Sequence, residues 1–247
     1  MFRTIVFHEI RPEEEIATGQ RDIAVNDGYN DRLPMPLYNN VQNFEQQMKW
    51  LQESGYHFLT LDEIKDFYAN GTELPARSVH VTFDDCYQSV KKYAYPLLKQ
   101  LGIQATYFIP TGWVFEEPHA YDAAHSRALS FPELKQMTDV FEFANHTNHF
   151  HQRHGISESR IMWAAKEDFI RDIKECNKYK LVTQKDVFGY PFGLYDDQSP
   201  QTLSEQGFKL AFTCDSGFNT ADTNPLLLKR EVISDSLGLD GFKQLFA

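Results

Sequence analysis

Hydrophobic and polar positions along this chain follow two alternating patterns. Short runs rich in β-branched and aromatic residues, at 3–9 (RTIVFHE), 57–60 (HFLT) and 78–83 (SVHVTF), predict strands. Between the first two runs, apolar positions recur every three to four residues over 41–55, which predicts an amphipathic helix ending at Gly55. A helix-capping signal, TLDEIKDFY, follows the second run. The chain therefore begins as a β-α-β-α repeat.

The same alternation continues to the C-terminus. Further strands are predicted at 104–110, 141–145, 187–192 and 209–214, with a last run at 229–234. Further helices are predicted at 87–101, 130–138, 157–178 and 198–206. Repeated βα units favour parallel strands covered by helices, and seven or eight of them suggest an α/β fold of the distorted (β/α) barrel type. No repeat or flexible linker divides the chain, so we predict one domain over 1–247.

Composition narrows the choice of partners. Thirty-five acidic residues against twenty-four basic ones give a formal charge of −11. Neither nucleic acid nor an anionic membrane surface is therefore expected as a partner. No apolar stretch is long enough for a membrane span or a signal-peptide core, which predicts a cytoplasmic protein for the chain as written. A secreted or cell-surface protein trimmed of its leader would have the same sequence.

Three widely spaced cysteines match no zinc-ligand pattern and are expected to be free thiols.

Polar residues follow several of the predicted strands. They include His8, the pair Asp84 and Asp85, the histidine-rich run 145–154 (NHTNHFHQRH), and Asp215. In a barrel of parallel strands, these positions share the C-terminal face, where carboxylates and imidazoles together are typical of a metal-assisted hydrolytic site. Taken singly, each has a structural alternative: either aspartate could cap the helix that follows it.

Three motifs, in this order, carry a family resemblance: TFDD (82–85), NHTNHFH (145–151) and YPFG (190–193). They resemble the first three motifs of the NodB-type polysaccharide deacetylases, carbohydrate esterase family 4. The second motif usually spaces its histidines four residues apart, whereas His151 stands five after His146. That spacing is similar to the poly-N-acetylglucosamine deacetylase branch of the family.

The family's closing Leu-x-His motif has no counterpart, because no histidine follows His154. In the poly-N-acetylglucosamine branch, the corresponding histidine lies on an N-terminal strand, and VFHEI (6–10) fits that place. The resemblance therefore implies a NodB-like deacetylase fold with a circularly permuted order of motifs, and it gives the role of this histidine to His8.

The resemblance also implies a divalent metal held by Asp85, His146 and His151, which leaves positions open for water and substrate. Zn²⁺ is the preferred ion for this ligand set, although Co²⁺ or Ni²⁺ could take its place. His149, three residues after His146, remains an alternative to His151 as the second imidazole ligand. His154 is expected to be solvated, or to line the substrate groove.

Catalytic roles follow from the same resemblance. Asp84 is the expected general base, and His8 the acid that protonates the leaving amine. The backbone N–H of Phe192 is expected to stabilise the oxyanion. Asp215 is the nearest candidate for the carboxylate that orients His8. The arginine that orients the base in the common family corresponds here to Gly189, so the sequence leaves that role unassigned.

Two long irregular stretches, 11–40 and 112–129, leave strand ends on the proposed catalytic face. Their aromatic residues could stack on a sugar ring or cover a small core of the loops themselves. The first stretch is rich in Asp and Glu, which would suit a polymer that gains positive charge as its amines are uncovered. We assign three residues to substrate binding: Pro191, Trp113 and Tyr195.

The favoured function is metal-dependent hydrolysis of N-acetyl groups on an N-acetylhexosamine glycan. Poly-N-acetylglucosamine, peptidoglycan and chitooligosaccharide are the candidate substrates. One alternative is a hydrolase of non-sugar C–N bonds on the same barrel, although such relatives often lack the complete metal triad. The other alternative is a catalytically silent glycan-binding module.

Overall fold

The computed structural model describes residues 1–247, and eight of its strands form one curled parallel sheet, beside three short two-stranded pairings. The strands are β1 (Phe2–Phe7), β2 (His57–Phe58), β3 (Ser78–Asp84), β4 (Ala105–Ile109), β5 (Phe141–Asn145), β6 (Gln184–Gly189), β7 (Leu210–Phe212) and β8 (Glu231–Val232). Seven of them lie in the order β7-β6-β5-β4-β3-β1-β8, and β2 pairs with the start of β3. The sheet thus ends in two edge strands, β7 and β8.

The segment between β7 and β8 narrows the gap between these edges. Leu228 donates its N–H to Ala211 O at 2.8 Å and accepts the N–H of Thr213 at 2.8 Å, which ties the segment to β7. Further along, the Ile233 N–H donates to Val6 O on β1 at 3.0 Å. The predicted distorted barrel is therefore confirmed as a curled half-barrel of seven parallel strands.

Most of the helices cover the outer surface of the sheet, whereas Leu61–Asn70 packs against a separate apolar cluster that includes Phe2, Phe108 and Phe212. The helices are α1 (Val41–Glu53), α2 (Leu61–Asn70), α3 (Tyr95–Leu101), α4 (Phe131–Lys135), α5 (Lys166–Cys176), α6 (Gln198–Glu205) and α7 (Gly238–Gln244), with single turns at Glu13–Ile16 and Arg160–Trp163. None of these helices combines the length and the apolar composition needed to cross a membrane.

The prediction of one long helix over 157–178 is wrong. Residues Arg153–His154 and Glu158–Ser159 form a two-stranded ribbon, and the helical part is broken at Ala164, whose ψ of 158° is extended. The helical pattern hides this break because Ile161, before it, and Phe169, after it, are buried in the same apolar cluster.

The helix predicted over 87–101 begins later and less regularly than expected. A π-helical turn at Val90–Ala94 leads into α3, and the Tyr95 N–H reaches back to Val90 O. Pro96 lies in the first turn of α3, where it has no N–H to donate. The π-turn thus lies directly before the position at which the proline interrupts the regular hydrogen bonds of the helix.

Alternation along β3 separates an apolar outer face from a polar inner one. Val79, Val81 and Phe83 belong to the main apolar core with residues of α1 and α3. The other side chains face the interior of the half-barrel: His80, Thr82 and Asp84. The polar interior leads directly to the carboxyl ends of the strands, where the candidate site lies.

The three cysteines, Cys86, Cys176 and Cys214, are free thiols, as predicted.

Candidate active site

Three predicted metal ligands meet at the carboxyl ends of β3 and β5. Asp85, His146 and His151 are buried, and one ligand atom from each lies within 4.8 Å of the others. His151 Nε2 is 3.1 Å from Asp85 Oδ1, and His146 Nε2 is 3.6 Å from the same oxygen. One carboxylate and two imidazoles thus converge on a single point.

An unusual backbone turn brings Asp84 and Asp85 to the same site. β3 ends at Asp84, and the next residues, Asp85 and Cys86, have φ angles of 73° and 61°. Residues with a Cβ rarely adopt this left-handed region, so the turn stores local strain. Because the chain leaves strand geometry here, adjacent side chains can face the same cavity instead of opposite sides.

The hydrogen bonds of the three ligands suit a bound cation. His146 Nδ1 lies 2.7 Å from Gly189 O and can only donate to it, so Nε2 carries the lone pair that faces Asp85. Asp85 Oδ1 is buried and makes no hydrogen bond within the chain. A divalent metal would satisfy this oxygen and the imidazole nitrogens, and the donor set is one that zinc accepts.

Gly189 allows the close approach that this arrangement needs. A Cβ at this position would lie 2.9 Å from the ring of Phe108 and 3.0 Å from His146 Nδ1. Any larger residue would push the ring of His146 away from the carbonyl that orients it. The position where the common family has an arginine is therefore occupied here by a glycine that contacts the ring of His146, a proposed metal ligand.

The other two histidines of 145–154 lie outside the cluster. The side chain of His149 is 55% exposed, and its Nδ1 lies 3.2 Å from Asp27 Oδ2. His154 stacks on Trp163 with ring centroids 3.9 Å apart. The geometry thus favours His151 over His149 as the second imidazole ligand.

Arg230 holds the proposed base, Asp84, and sequence reasoning missed it. Its guanidinium makes two parallel hydrogen bonds of 2.8 Å to the Asp84 carboxylate, and both side chains are buried. Burial by itself raises the pKa of Asp84, but Arg230, with His146 and His8 nearby, outweighs it and holds the pKa below its ordinary value. Arg230 therefore takes the orienting position that the sequence left unassigned.

His8 faces Asp84 from the end of β1. Its Nε2 is 3.9 Å from Asp84 Oδ2, while its buried Nδ1 has no hydrogen-bond partner in the chain. Burial lowers the pKa of His8, against the opposing effects of Asp85 and Asp84. The expected acid and the expected base thus border the same space.

Asp215 is not placed to orient His8. Its carboxylate accepts a hydrogen bond of 2.8 Å from the Tyr195 hydroxyl, and neither residue lines the central cavity. Asp215 therefore makes no hydrogen bond to His8, whose Nδ1 has no partner in the chain, whereas the assignment of Tyr195 to substrate binding stays a prediction.

The turn after β6 presents the predicted oxyanion donor. Pro191 is buried, and Phe192 has a φ of 61°, again in the left-handed region. The N–H of Gly193 donates to Tyr190 O at 2.8 Å, and Phe192 lies in the same short turn. Phe192 also lines the cavity, and its ring lies 4.3 Å from that of His151.

These groups surround one cavity of about 180 Å³. Trp113, which is buried, forms part of its wall and packs edge-on against His151 with ring centroids 4.2 Å apart. Apolar residues of the first long loop complete the wall: Ile23, Leu33, Pro34 and Leu37. The site therefore combines a floor of carboxylates and imidazoles with a wall in which these apolar residues stand beside the charged Asp31, Arg32 and Arg153.

The two long loops pair with each other and share a small core. Ile23–Ala24 pairs with Ser126–Arg127, and Tyr29 stacks on Trp113 at 6.0 Å. Tyr38 is buried, and the hydroxyl of Tyr121 donates to Glu15 at 2.6 Å. For these tyrosines the geometry favours a structural role over sugar stacking.

Most acidic residues of the first loop are also already paired. Glu15 pairs with Arg11, Asp22 with Arg32, Asp27 with His149 and Asp31 with Arg153. Their carboxylates stabilise the loop itself, which leaves few of them to attract a cationic polymer.

Comparisons with known proteins identify relatives of this chain. The polysaccharide deacetylase family model matches residues 71–211. Poly-beta-1,6-N-acetyl-D-glucosamine N-deacetylase from Staphylococcus aureus is 34% identical over 208 residues, which cover 82% of this chain and 68% of that relative. The protein of the same name from Staphylococcus epidermidis is 27% identical over 209 residues, 83% of this chain and 69% of that relative.

Solved structures share the fold. The deacetylase PplD of Streptococcus pyogenes, in complex with acetate, has a TM-score of 0.77 at 23% identity, covering 100% of this chain and 98% of that chain. IcaB from Ammonifex degensii has a TM-score of 0.75 at 22% identity, covering 100% and 99%. The family model spans more than half of this chain, and the resemblance first drawn from three motifs is confirmed: the chain belongs to the polysaccharide deacetylase family.

Proposed function

We propose that this protein removes N-acetyl groups from a glycan of N-acetylhexosamine residues and releases acetate. One observation carries the proposal: Asp84, Asp85, His8, His146 and His151 all line the same buried cavity. The resemblance in sequence to poly-beta-1,6-N-acetyl-D-glucosamine N-deacetylase of Staphylococcus aureus makes a β-1,6-linked polymer of N-acetylglucosamine the favoured substrate.

Asp85, His146 and His151 would hold the metal, with zinc as the proposed ion because one carboxylate and two imidazoles suit it. A bound divalent metal supplies Lewis-acid activation of the acetamide carbonyl and makes water more acidic. The fixed orientation of His146, through its hydrogen bond to Gly189 O, prepares the nitrogen for coordination.

The remaining steps belong to side chains and backbone of this chain. Asp84, oriented by Arg230, takes a proton from the attacking water as the new C–O bond forms. The N–H of Phe192 donates to the carbonyl oxygen as its negative charge develops. His8 delivers a proton to the amide nitrogen, so that the C–N bond breaks to give acetate and a free amine.

A panel of acetylated sugars tests this function. Wild type, Asp84→Asn and His151→Ala are each stripped with chelator, given back Zn²⁺, and assayed for acetate. We expect wild type to release acetate from N-acetylglucosamine oligomers only when metal is present. Asp84→Asn should lose roughly 10²–10⁴-fold in rate, the usual contribution of a general base. His151→Ala should lose both metal and activity.

His149→Ala is the matched control, because this imidazole lies in the same loop but points to Asp27 and solvent. It should keep the metal affinity and the activity of wild type. Acetate release that survives chelation would contradict the metal-dependent mechanism. Tight metal binding without acetate from any sugar would favour the non-sugar hydrolase or the binding module.

A further inference from the structure

The loop that carries His146 and His151 is bound to a helix on the outside of the sheet. Asp172 of α5 is only 6% exposed, and its carboxylate faces the middle of this loop. One oxygen accepts the N–H of Asn148 and the other accepts the N–H of His149, both at 2.7 Å. A single carboxylate thus binds two consecutive backbone donors between the ligands.

The same helix also holds both ends of the loop. At its start, the Asn145 side chain donates to Ile173 O at 2.9 Å and accepts the N–H of Thr147 at 2.8 Å. At its far end, Phe150 stacks on Phe169 with ring centroids 6.2 Å apart. Residues 169, 172 and 173 lie on one face of α5, so this face acts as a template for the loop.

The loop needs such a template because its path is not regular. Thr147 has a φ of 72°, and the two ligands are five residues apart in a segment without helix or strand. The carbonyl groups of Thr147 and Asn148 are fixed by the N–H groups of Thr111 and Gly112. The two N–H groups on the opposite side are partly buried and would have no acceptor in the chain if Asp172 were absent. Losing both hydrogen bonds would cost free energy and free the backbone between the two histidines.

We propose that Asp172 is a positioning residue that sets the geometry of His146 and His151 and thereby the affinity for metal. This inference rests on the proposed function, since it requires that these histidines bind a metal. Asp172 touches neither imidazole and acts through the backbone of residues 148 and 149. Charge-assisted hydrogen bonds to an ionised carboxylate are stronger than those to a neutral group, which explains why a carboxylate stands here.

Metal affinity of the intact chain tests the inference without an activity assay. Zn²⁺ binding is measured by chelator competition, and the site geometry by the visible absorption of the Co²⁺-loaded protein. Asp172→Asn has the same shape, but its amide can accept on one side only. We expect its Zn²⁺ affinity to fall by about 10–100-fold, as for other residues that orient metal ligands, with a changed Co²⁺ spectrum.

Two control variants separate positioning from general destabilisation. Asp168→Asn makes the same substitution at an exposed position of the same helix and should bind metal as wild type does. Phe208→Leu removes packing from the apolar cluster beneath the loop and should lower stability while leaving the Co²⁺ spectrum unchanged. If Asp172→Asn does not fold, Asp172→Glu takes its place, because its longer side chain keeps the charge and displaces the two acceptors.

The outcomes are distinct. If wild type binds Zn²⁺ tightly while the Asp172 variant that folds has the same affinity and the same Co²⁺ spectrum, the inference is overturned and the proposed function stands. If wild type itself binds no metal, both the proposed function and this inference are overturned.

Discussion

At the scale of single residues, the pair of Asp84 and Arg230 links stability to chemistry. The two side chains are fully enclosed and come from positions far apart in the chain, on β3 and just before β8. Burying two charges is costly, and an ideal bidentate geometry is what offsets the cost. Removing one partner leaves the other as an unpaired buried charge, which destabilises a protein by about 3–5 kcal/mol.

We therefore predict different effects for two substitutions of Arg230. Arg230→Lys keeps a cation but loses the planar fork that aligns both carboxylate oxygens. It should lower kcat by about 10–100-fold with little change in KM, because a misaligned base affects the transition state and not substrate binding. Arg230→Met should also lower the free energy of unfolding by about 3–5 kcal/mol. Steady-state kinetics and urea denaturation measure the two effects.

Arg3→Lys is the matched control for Arg230→Lys. Arg3 pairs with Glu231 on the neighbouring strands and is also buried, but it does not line the cavity. Its loss of stability should not be accompanied by a loss of kcat. An Arg230→Lys protein with the kcat of wild type would show that Asp84 needs no fixed orientation.

At the scale of elements, the first long loop is held over the site by a few specific contacts. Arg153, which follows the proposed metal ligands, makes two hydrogen bonds to Asp31, of 2.7 and 2.9 Å. The Arg153 N–H also donates to the Tyr29 hydroxyl. These contacts place the apolar wall formed by Leu33 and Leu37 beside the cavity.

Loosening this contact should affect substrate binding more than folding. Asp31→Asn weakens a half-buried bidentate pair, for which a loss of about 1 kcal/mol in the free energy of unfolding is expected. We predict a KM several-fold higher than that of wild type and faster proteolytic cleavage within 21–37. Glu14→Gln changes an exposed carboxylate of the same loop and should change neither KM nor the rate of cleavage. Equal KM values for the two variants would show that the Asp31 pair does not fix the cavity wall.

The elements also show how far sequence reasoning reaches. The strands and helices such as α1 and α6 were predictable, because the period of their apolar residues reports which face is buried, whereas the break at Ala164 inside the predicted helix 157–178 was not. Pairing between the loops, such as Ile23–Ala24 with Ser126–Arg127, was not, since it depends on tertiary contacts and carries no local signal. Asp85, His146 and His151 stand within the three motifs and could be proposed from them. Arg230 belongs to no motif and is separated from Asp84 by 146 positions, so no local signal indicated their contact.

At the scale of the whole molecule, the polar interior of the half-barrel makes stability depend on pH. His80 is fully buried between strands, and its Nε2 is 2.8 Å from Thr106 Oγ1. Burial, with the nearby positive charge of Arg230, lowers the pKa of His80 to about 3. In the unfolded chain an ordinary histidine has a pKa of about 6.5. The folded protein therefore holds His80 neutral over a range in which the unfolded chain binds a proton.

This difference fixes the sign of the effect. Above about pH 6.5 neither state protonates His80, and its contribution to stability is constant. As the pH falls from about 6.5 towards 3, the unfolded state alone gains the proton, so this one group lowers the free energy of unfolding by up to about 1.4 kcal/mol per pH unit.

We predict that His80→Gln, whose amide can still donate to Thr106, loses this share of the acid sensitivity. Urea denaturation of both proteins in chelator, at several pH values in this range, measures the free energy of unfolding. Its slope against pH should be smaller for the variant by up to about 1.4 kcal/mol per pH unit, which corresponds to one proton. Identical slopes would place the acid sensitivity in other groups, of which the buried His8 and His151, present in both proteins, are the nearest candidates.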